Sequence, residues 1–491
     1  MPDEFAGVYL ISPVLLPLFG AAIAAMLQGR PRAQRWTLEV SVALMAFSSL
    51  LLFLHVQGSG PTIMRFGGWP GPVAISLVGD TLGSTLSLVT ALVGIATVIY
   101  ARADVAARRR RAGFDPLLLT LLGGVNGAFL TGDLFNLYVW FELMLLSALG
   151  LITLDRRKAQ IDGAIRYAAL SMLGATFILT GIAFIVAETG TLDFTDLGRS
   201  LEGHPLTLSL VTGGALMLAG FALKAGLFPL FFWLPASYHT APIAASAIFA
   251  GLLTKVGFYA CLRVLVTLFG IRMLPGFPEV LAVVAAITMI VCTACALAQT
   301  DLRRLFSFHI TGQVGYMAMG LSLATSAGLA AAIFYMVHSI IVQTNLFFAA
   351  GAIARADGSY DLRTAGGISR SQPLLAGMVA VPILSLAGIP PFSGFWAKFI
   401  VIDAALSIKM AWLAGAALLA GLLTIVSMGG VWADGFWASR KKGRIARPVP
   451  AAMLLAIALL SSATFAIGLF PQALWDVAEA SAVSIGAGPA R

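Results

Sequence analysis

Apolar residues run along this chain in blocks of about twenty, separated by short polar breaks, and the blocks do not alternate between apolar and polar positions. A helix rises 1.5 Å per residue, so about twenty residues cross a hydrocarbon core roughly 30 Å thick. The blocks predict spans near 8–27, 36–57, 80–101, 116–132, 133–154, 164–189, 205–236, 242–269, 278–300, 303–322, 326–353, 373–408, 410–432 and 450–471, fourteen in all. A membrane barrel would show strictly alternating segments of about ten residues, which a stretch such as 451–465 does not. The predicted fold class is an all-α integral membrane protein.

Composition removes the soluble alternatives. Of 491 residues, 59% are hydrophobic and 11% charged, against roughly 25% charged in a soluble domain. The net charge of +9 invites a nucleic-acid reading, but the basic residues are scattered through short loops rather than gathered on one face. With the first loop inside, alternate loops hold 21 of the 31 basic residues, whereas the opposite loops and the tail hold six: Arg65, Arg199, Arg263, Arg272, Lys409 and Arg491. The positive-inside rule then puts both termini on the outer side of the membrane, with the bilayer and not a nucleic acid as surroundings. By the same rule Arg108 to Arg111 read as an orientation signal. The acidic start, Met1-Pro2-Asp3-Glu4, predicts a retained first span rather than a cleaved signal.

Cys261, Cys292 and Cys295 lie inside apolar blocks and read as packing, with no disulfide framework or metal cage. A phosphate-binding loop, a His-Glu-x-x-His motif and a large soluble segment are all missing, so neither a cofactor nor an ATPase activity is expected. Gly123-Gly124-x-x-Gly127 reads as close helix packing, and 188–204, with Asp193 and Asp196, as a solvated loop.

The charges left inside the spans are the chemistry. Lys224, Lys255, Lys398 and Glu142 fall well within apolar blocks, as does His338, with His309 nearer the inner end of its span. Arg166 is the remaining basic residue in a span. Each lysine or carboxylate at the bilayer centre costs roughly 2.5–3.5 kcal/mol on insertion scales, an arrangement that packing alone does not justify. One carboxylate cannot neutralise three lysines. Burial disfavours a charged amine and a nearby carboxylate favours it, so a change in the carboxylate's influence toggles a proton. Histidines titrate near neutrality, and a lysine–histidine–lysine series with bridging water would pass protons laterally through the membrane.

Two spans carry breakers at depth: Lys224-Ala-Gly-Leu-Phe-Pro229-Leu-Phe-Phe-Trp-Leu-Pro235 and Leu386-Ala-Gly-Ile-Pro390-Pro391-Phe-Ser-Gly394-Phe-Trp-Ala-Lys398. Proline removes a backbone donor and clashes one turn back, and paired interruptions in corresponding halves point to inverted-repeat transporters. The breaks fall in spans 7 and 12, the fourth members of two five-span units. The predicted organisation is a three-helix segment over 1–115, inverted repeats over 116–272 and 273–435, and a closing loop and helix over 436–491.

Five stretches carry a resemblance. Gly132-Asp-Leu-Phe-Asn-Leu-Tyr-Val-Trp-Phe-Glu142, Leu223-Lys-Ala-Gly-Leu-Phe-Pro-Leu-Phe-Phe-Trp-Leu-Pro235, Gly251-Leu-Leu-Thr-Lys-Val-Gly257, Leu302-Arg-Arg-Leu-Phe-Ser-Phe-His-Ile310 and Gly388-Ile-Pro-Pro-Phe-Ser-Gly-Phe-Trp-Ala-Lys398 resemble the antiporter-like subunits shared by Mrp cation/proton antiporters, respiratory complex I and membrane-bound hydrogenases. Ser-Phe-His-Ile with Phe-Trp-Ala-Lys is most like the D-type subunit of the Mrp branch; complex I subunits more often read Ala-Tyr-Ser-Ser at the former place. The resemblance implies a coupling pair in Glu142 and Lys224, a central relay in Lys255, a link through His309 and His338, and a terminal exchange site at Lys398. It also implies a hetero-oligomer with other antiporter subunits, exchanging protons for Na+ or K+. Proton pumping within a redox complex is the alternative. Gln343 stands where relatives often have lysine.

Overall fold

The computed structural model describes residues 5–67, 75–201, 207–270, 276–439 and 447–486. Arg272, Arg491 and the basic residues at 440–444 lie outside them. Each of the fourteen predicted blocks is helical, and eleven helices are long and apolar enough to cross a membrane. The other three blocks are the seventeen-residue helix Phe114–Leu130, the more polar helix Leu302–Ser322, and the broken twelfth span.

The breaks fall where the prolines put them. The seventh span runs over Leu208–Ala225 and resumes at Trp233–Ser237; the twelfth runs over Pro373–Ala387 and resumes at Ser393–Ser407. Both first halves end in the same way. Gly226 (φ +80°) and Gly388 (φ +86°) take the left-handed conformation that glycine adopts without steric cost. The N–H groups of Gly226 and Leu227 donate to Ala222, and those of Gly388 and Ile389 to Leu384.

A second pattern recurs. Asp133 and Asp301 accept from the first-turn amides of the fifth and tenth spans, as N-capping carboxylates do. Each forms an antiparallel bridge to an aspartate past the following span: Asp133 with Asp193, Asp301 with Asp361. The backbone bonds match, Leu134 N–H to Leu192 O and Leu302 N–H to Tyr360 O, both 3.0 Å.

The eighth span, Ile243–Phe269, and the eleventh, Ser326–Asp357, are the innermost, with 89% and 94% of their most apolar eighteen residues buried. They carry Lys255 and His338. Close approach makes this possible: a Cβ on Gly257 would lie 2.6 Å from the Ala225 nitrogen, so the eighth span rests directly on the end of the broken seventh. The glycine-rich run of the fourth span packs as expected, with Gly127 under the Trp140 ring.

Five features depart from the sequence reading. Arg263, counted above with the loops, is buried in the eighth span and paired with Asp80 at 2.5 Å. Arg110 is likewise not a free loop charge, being buried against Asp115. Of the expected solvated loop, Asp193 is 2% exposed and accepts the Ser76 hydroxyl at 3.0 Å, while Phe194–Leu201 is helical. A β-hairpin, β1 Thr62–Arg65 with β2 Ser76–Gly79, and a final helix, Pro471–Gly486, were not anticipated. For Arg263 and Asp193 the partner lies far along the chain, and for Arg110 it is five residues on; hydropathy over a window reveals none of these pairings.

Candidate functional site

The seventh span ends at its break with Lys224 buried beside the fifth and sixth spans. Its amino group donates to Ser171 Oγ at 2.9 Å and stands 5.6 Å from the centre of the Phe141 ring. A cavity of about 20 Å³ lies against it, walled by Phe141, Met144, Tyr167, Trp233, Tyr238 and Leu253, room for about one water. Glu142 lies within electrostatic reach of Lys224 but forms no ion pair with it in this conformation; its Oε1 is buried with no hydrogen-bond partner among the described residues. The amine is held by Ser171 and the carboxylate lies within reach but out of contact, as a pair that changes its contact would be.

The break itself makes a site. Interrupting a helix leaves its last carbonyls unpaired. In the seventh span Trp233 Nε1 donates to Leu223 O at 3.1 Å. In the twelfth the same duty falls to Lys398, whose Nζ donates to Leu386 O at 2.9 Å and Ala387 O at 3.0 Å. The carbonyl end of a helix attracts positive charge, so the break and the lysine belong together. Tyr316 lies beneath, its ring centre 5.7 Å from that nitrogen.

Lys255, in the eighth span, is fully buried, its amino group donating to Ala250 O at 2.8 Å. Ala250 belongs to a π-helical turn, Phe249–Leu253, a widening that recurs at functional sites in helices. His338 lies within electrostatic reach of both Lys255 and Lys398, and His309 of Lys398. Each histidine is held by a serine: His338 Nδ1 to Ser393 Oγ at 2.8 Å, His309 Nε2 to Ser427 Oγ at 2.8 Å.

The six residues singled out in the sequence fall into two buried groups, Glu142 with Lys224 and Lys255 with His338, Lys398 and His309, and the eighth span that carries Lys255 rests on the end of the seventh that carries Lys224. Direct hydrogen bonds do not join them; serines and backbone carbonyls hold the lysines and histidines. Ser171, Ser393 and Ser427 escaped the sequence reading because a hydroxyl in an apolar helix usually bonds its own backbone one turn back. Only the fold shows that these three face a titratable group. Gln343 is fully buried, and both its amide atoms lack a hydrogen-bond partner among the described residues.

Two substitutions test this geometry. A Cβ on Gly394 would fall 1.7 Å from Ser385 O and 3.1 Å from His338 Cε1, so Gly394→Ala is expected to displace the restarted twelfth span and lower both thermal stability and exchange. Losing a hydrogen bond of this kind costs about 1 kcal/mol or more, so Ser171→Ala is expected to slow exchange several-fold with subunit assembly, checked by blotting, unchanged.

Known proteins share this architecture. Residues 131–424 match the family described as NADH:quinone oxidoreductase/Mrp antiporter, TM. The chain is 39% identical over 433 residues to the D-type subunit of a Na(+)/H(+) antiporter from Alkalihalophilus pseudofirmus, covering 88% of this chain and 87% of that one. It is 33% identical over 459 residues to the protein of the same name from Bacillus subtilis, covering 92% and 93%. Among solved structures, a chain of the Mrp complex from Dietzia superposes with a TM-score of 0.91 at 28% identity, covering 98% of each chain. A chain of an archaeal membrane-bound sulfane sulfur reductase does so with a TM-score of 0.89 at 26% identity, covering 99% and 98%. With its broken spans, its buried lysines and these likenesses taken together, the chain belongs to the family of NADH:quinone oxidoreductase and Mrp antiporter membrane subunits.

Proposed function

We propose that this chain is the proton-translocating subunit of a multi-subunit Na+(K+)/H+ antiporter in a bacterial inner membrane, with both termini outside. The observation that supports the reading is the burial of Lys224, Lys255, His338, His309 and Lys398 inside one helical bundle, with Glu142 within electrostatic reach of Lys224 and His338 within reach of both Lys255 and Lys398. Glu142 and Lys224 act as the coupling pair, Lys255 as the central relay, His338 and His309 as the link, and Lys398 as the terminal exchange site. The Ser171 and Ser393 hydroxyls orient the groups between which protons pass, and water in the Lys224 cavity bridges the first of them. The units 116–272 and 273–435 form the two inverted repeats, a division supported by the matching helix ends at Gly226 and Gly388 and the matching aspartate bridges. Curated relatives named as antiporter subunits favour cation exchange by an assembly of several chains over an enzyme. A second reading, proton pumping driven by a redox partner, draws on the likeness to the sulfane sulfur reductase.

The deciding experiment is cation-dependent proton movement in inverted vesicles from cells lacking their own antiporters, expressing the full native operon. Collapse of a preformed pH gradient on adding Na+ or K+ is expected. No collapse from an assembled complex would sink antiport and leave the redox-driven reading.

A further inference from the structure

A groove of about 410 Å³ opens on the lipid-facing side of the twelfth and thirteenth spans, walled by Leu384, Ala387, Ile425, Met428, Gly429 and Trp432 and ending at Trp437. It backs onto the terminal site: the Ala387 carbonyl holds Lys398, and Met428 follows Ser427, the partner of His309. Two features show that the chain's own packing does not account for it. A Cβ on Gly429 would meet nothing within 4 Å, so no neighbour in the chain demands a glycine there. Ile425 is 45% and Trp437 70% exposed, so the walls are not closed by the protein.

The length and the mouth select the occupant. From Ile425 to Trp437 the groove runs roughly 18 Å at 1.5 Å per residue, close to one leaflet of a hydrocarbon core about 30 Å thick. A groove of that length with apolar walls suits an extended hydrocarbon chain lying along the helices. The basic group at its mouth favours a lipid over an apolar helix. The mouth supplies the polar end. Trp437 sits where interfacial aromatic residues anchor at headgroup level. The short helix Ile368–Ser371 is tied to the same end by the Ser369 hydroxyl donating to Phe436 O at 2.6 Å. Its Arg370 is exposed and in no ion pair with a described residue. A basic residue beside an apolar intramembrane groove attracts an anionic headgroup.

We propose that this groove binds one acyl chain of an anionic phospholipid from the Arg370 side of the bilayer, with the headgroup phosphate against Arg370. The lipid packs against the outer wall of the backbone that holds Lys398. Binding is separate from the transport reading and is measured without it.

The test is native mass spectrometry of the assembled complex, delipidated in mild detergent and then given phosphatidylglycerol or phosphatidylcholine. The native complex is expected to retain phosphatidylglycerol in preference. Gly429→Leu puts a side chain into the groove from a position where a Cβ meets nothing within 4 Å and is expected to lower that retention about tenfold, the effect of removing roughly two methylenes' worth of chain burial. Ala380→Leu, on the opposite wall, is expected to do the same, and Arg370→Gln to erase the preference between the two lipids. Unchanged retention in both filled variants would overturn the proposal. So would loss of a partner subunit from Gly429→Leu with lipid retention intact, which would make the groove a protein interface.

Discussion

Lys255→Ala is expected to abolish cation-dependent proton exchange while leaving the complex assembled. The lysine is fully buried and its amino group is spent on one backbone carbonyl, Ala250 O. In the proposed relay it connects the Glu142–Lys224 pair to the His338–Lys398 group, so removing it leaves that relay without its central titratable group. General acid–base contributions of a positioned side chain are on the order of 10²–10⁴-fold, so exchange is expected to fall about a hundredfold or more, to the background of the vesicles. Stability should not fall with it. A lysine at the bilayer centre costs roughly 2.5–3.5 kcal/mol to insert, and alanine removes that cost. The measurement is exchange in inverted vesicles carrying the whole operon, with each subunit blotted. Full exchange from an intact complex would move the proton path to another subunit and leave this chain as scaffold.

Arg263→Met is expected to produce the largest loss of stability. Arg263 and Asp80 are 9% and 4% exposed and lie 2.5 Å apart. The guanidinium also donates to Tyr259 Oη at 3.1 Å, and that hydroxyl donates to Phe129 O at 2.9 Å. Asp80 in turn caps the third span, accepting from Gly83 N–H at 2.7 Å. One ion pair thus ties the eighth span, which carries Lys255, to the third and fourth. Removing a single partner from a buried pair leaves an uncompensated charge and costs about 3–5 kcal/mol, whereas replacing both is often neutral. Arg263→Met alone should therefore lower the thermal midpoint of the detergent-solubilised complex, and Asp80→Asn with Arg263→Met should recover most of the loss. Additive single and double effects would mean that the pair is not coupled and that the damage comes from packing.

How far the sequence reached can be judged from particular residues. Hydropathy located the fourteen helical blocks because water exclusion is a property of composition over a window of about twenty residues, independent of what each helix touches. Proline and glycine chemistry located both breaks, since a missing donor and a positive φ are local facts. The cost of burying charge singled out Glu142, Lys224, Lys255 and Lys398, again without any knowledge of neighbours. Tertiary structure alone decided the partners. It took Arg263 out of the loops and paired it with Asp80, far along the chain, and it buried Arg110 against Asp115 only five residues on, because an ion pair depends on distance in space and burial on packing. It buried Asp193 against Ser76, from a segment that reads as solvated. It chose Ser171, Ser393 and Ser427 from among many helix hydroxyls, gave Lys398 the open carbonyls of its own broken span, and shaped the groove beside Gly429. The sequence by itself determined which side chains are too costly to bury without purpose; only the fold decided what each one faces, because facing is set by the rotation and close approach of helices, through residues as small as Gly257 and Gly394.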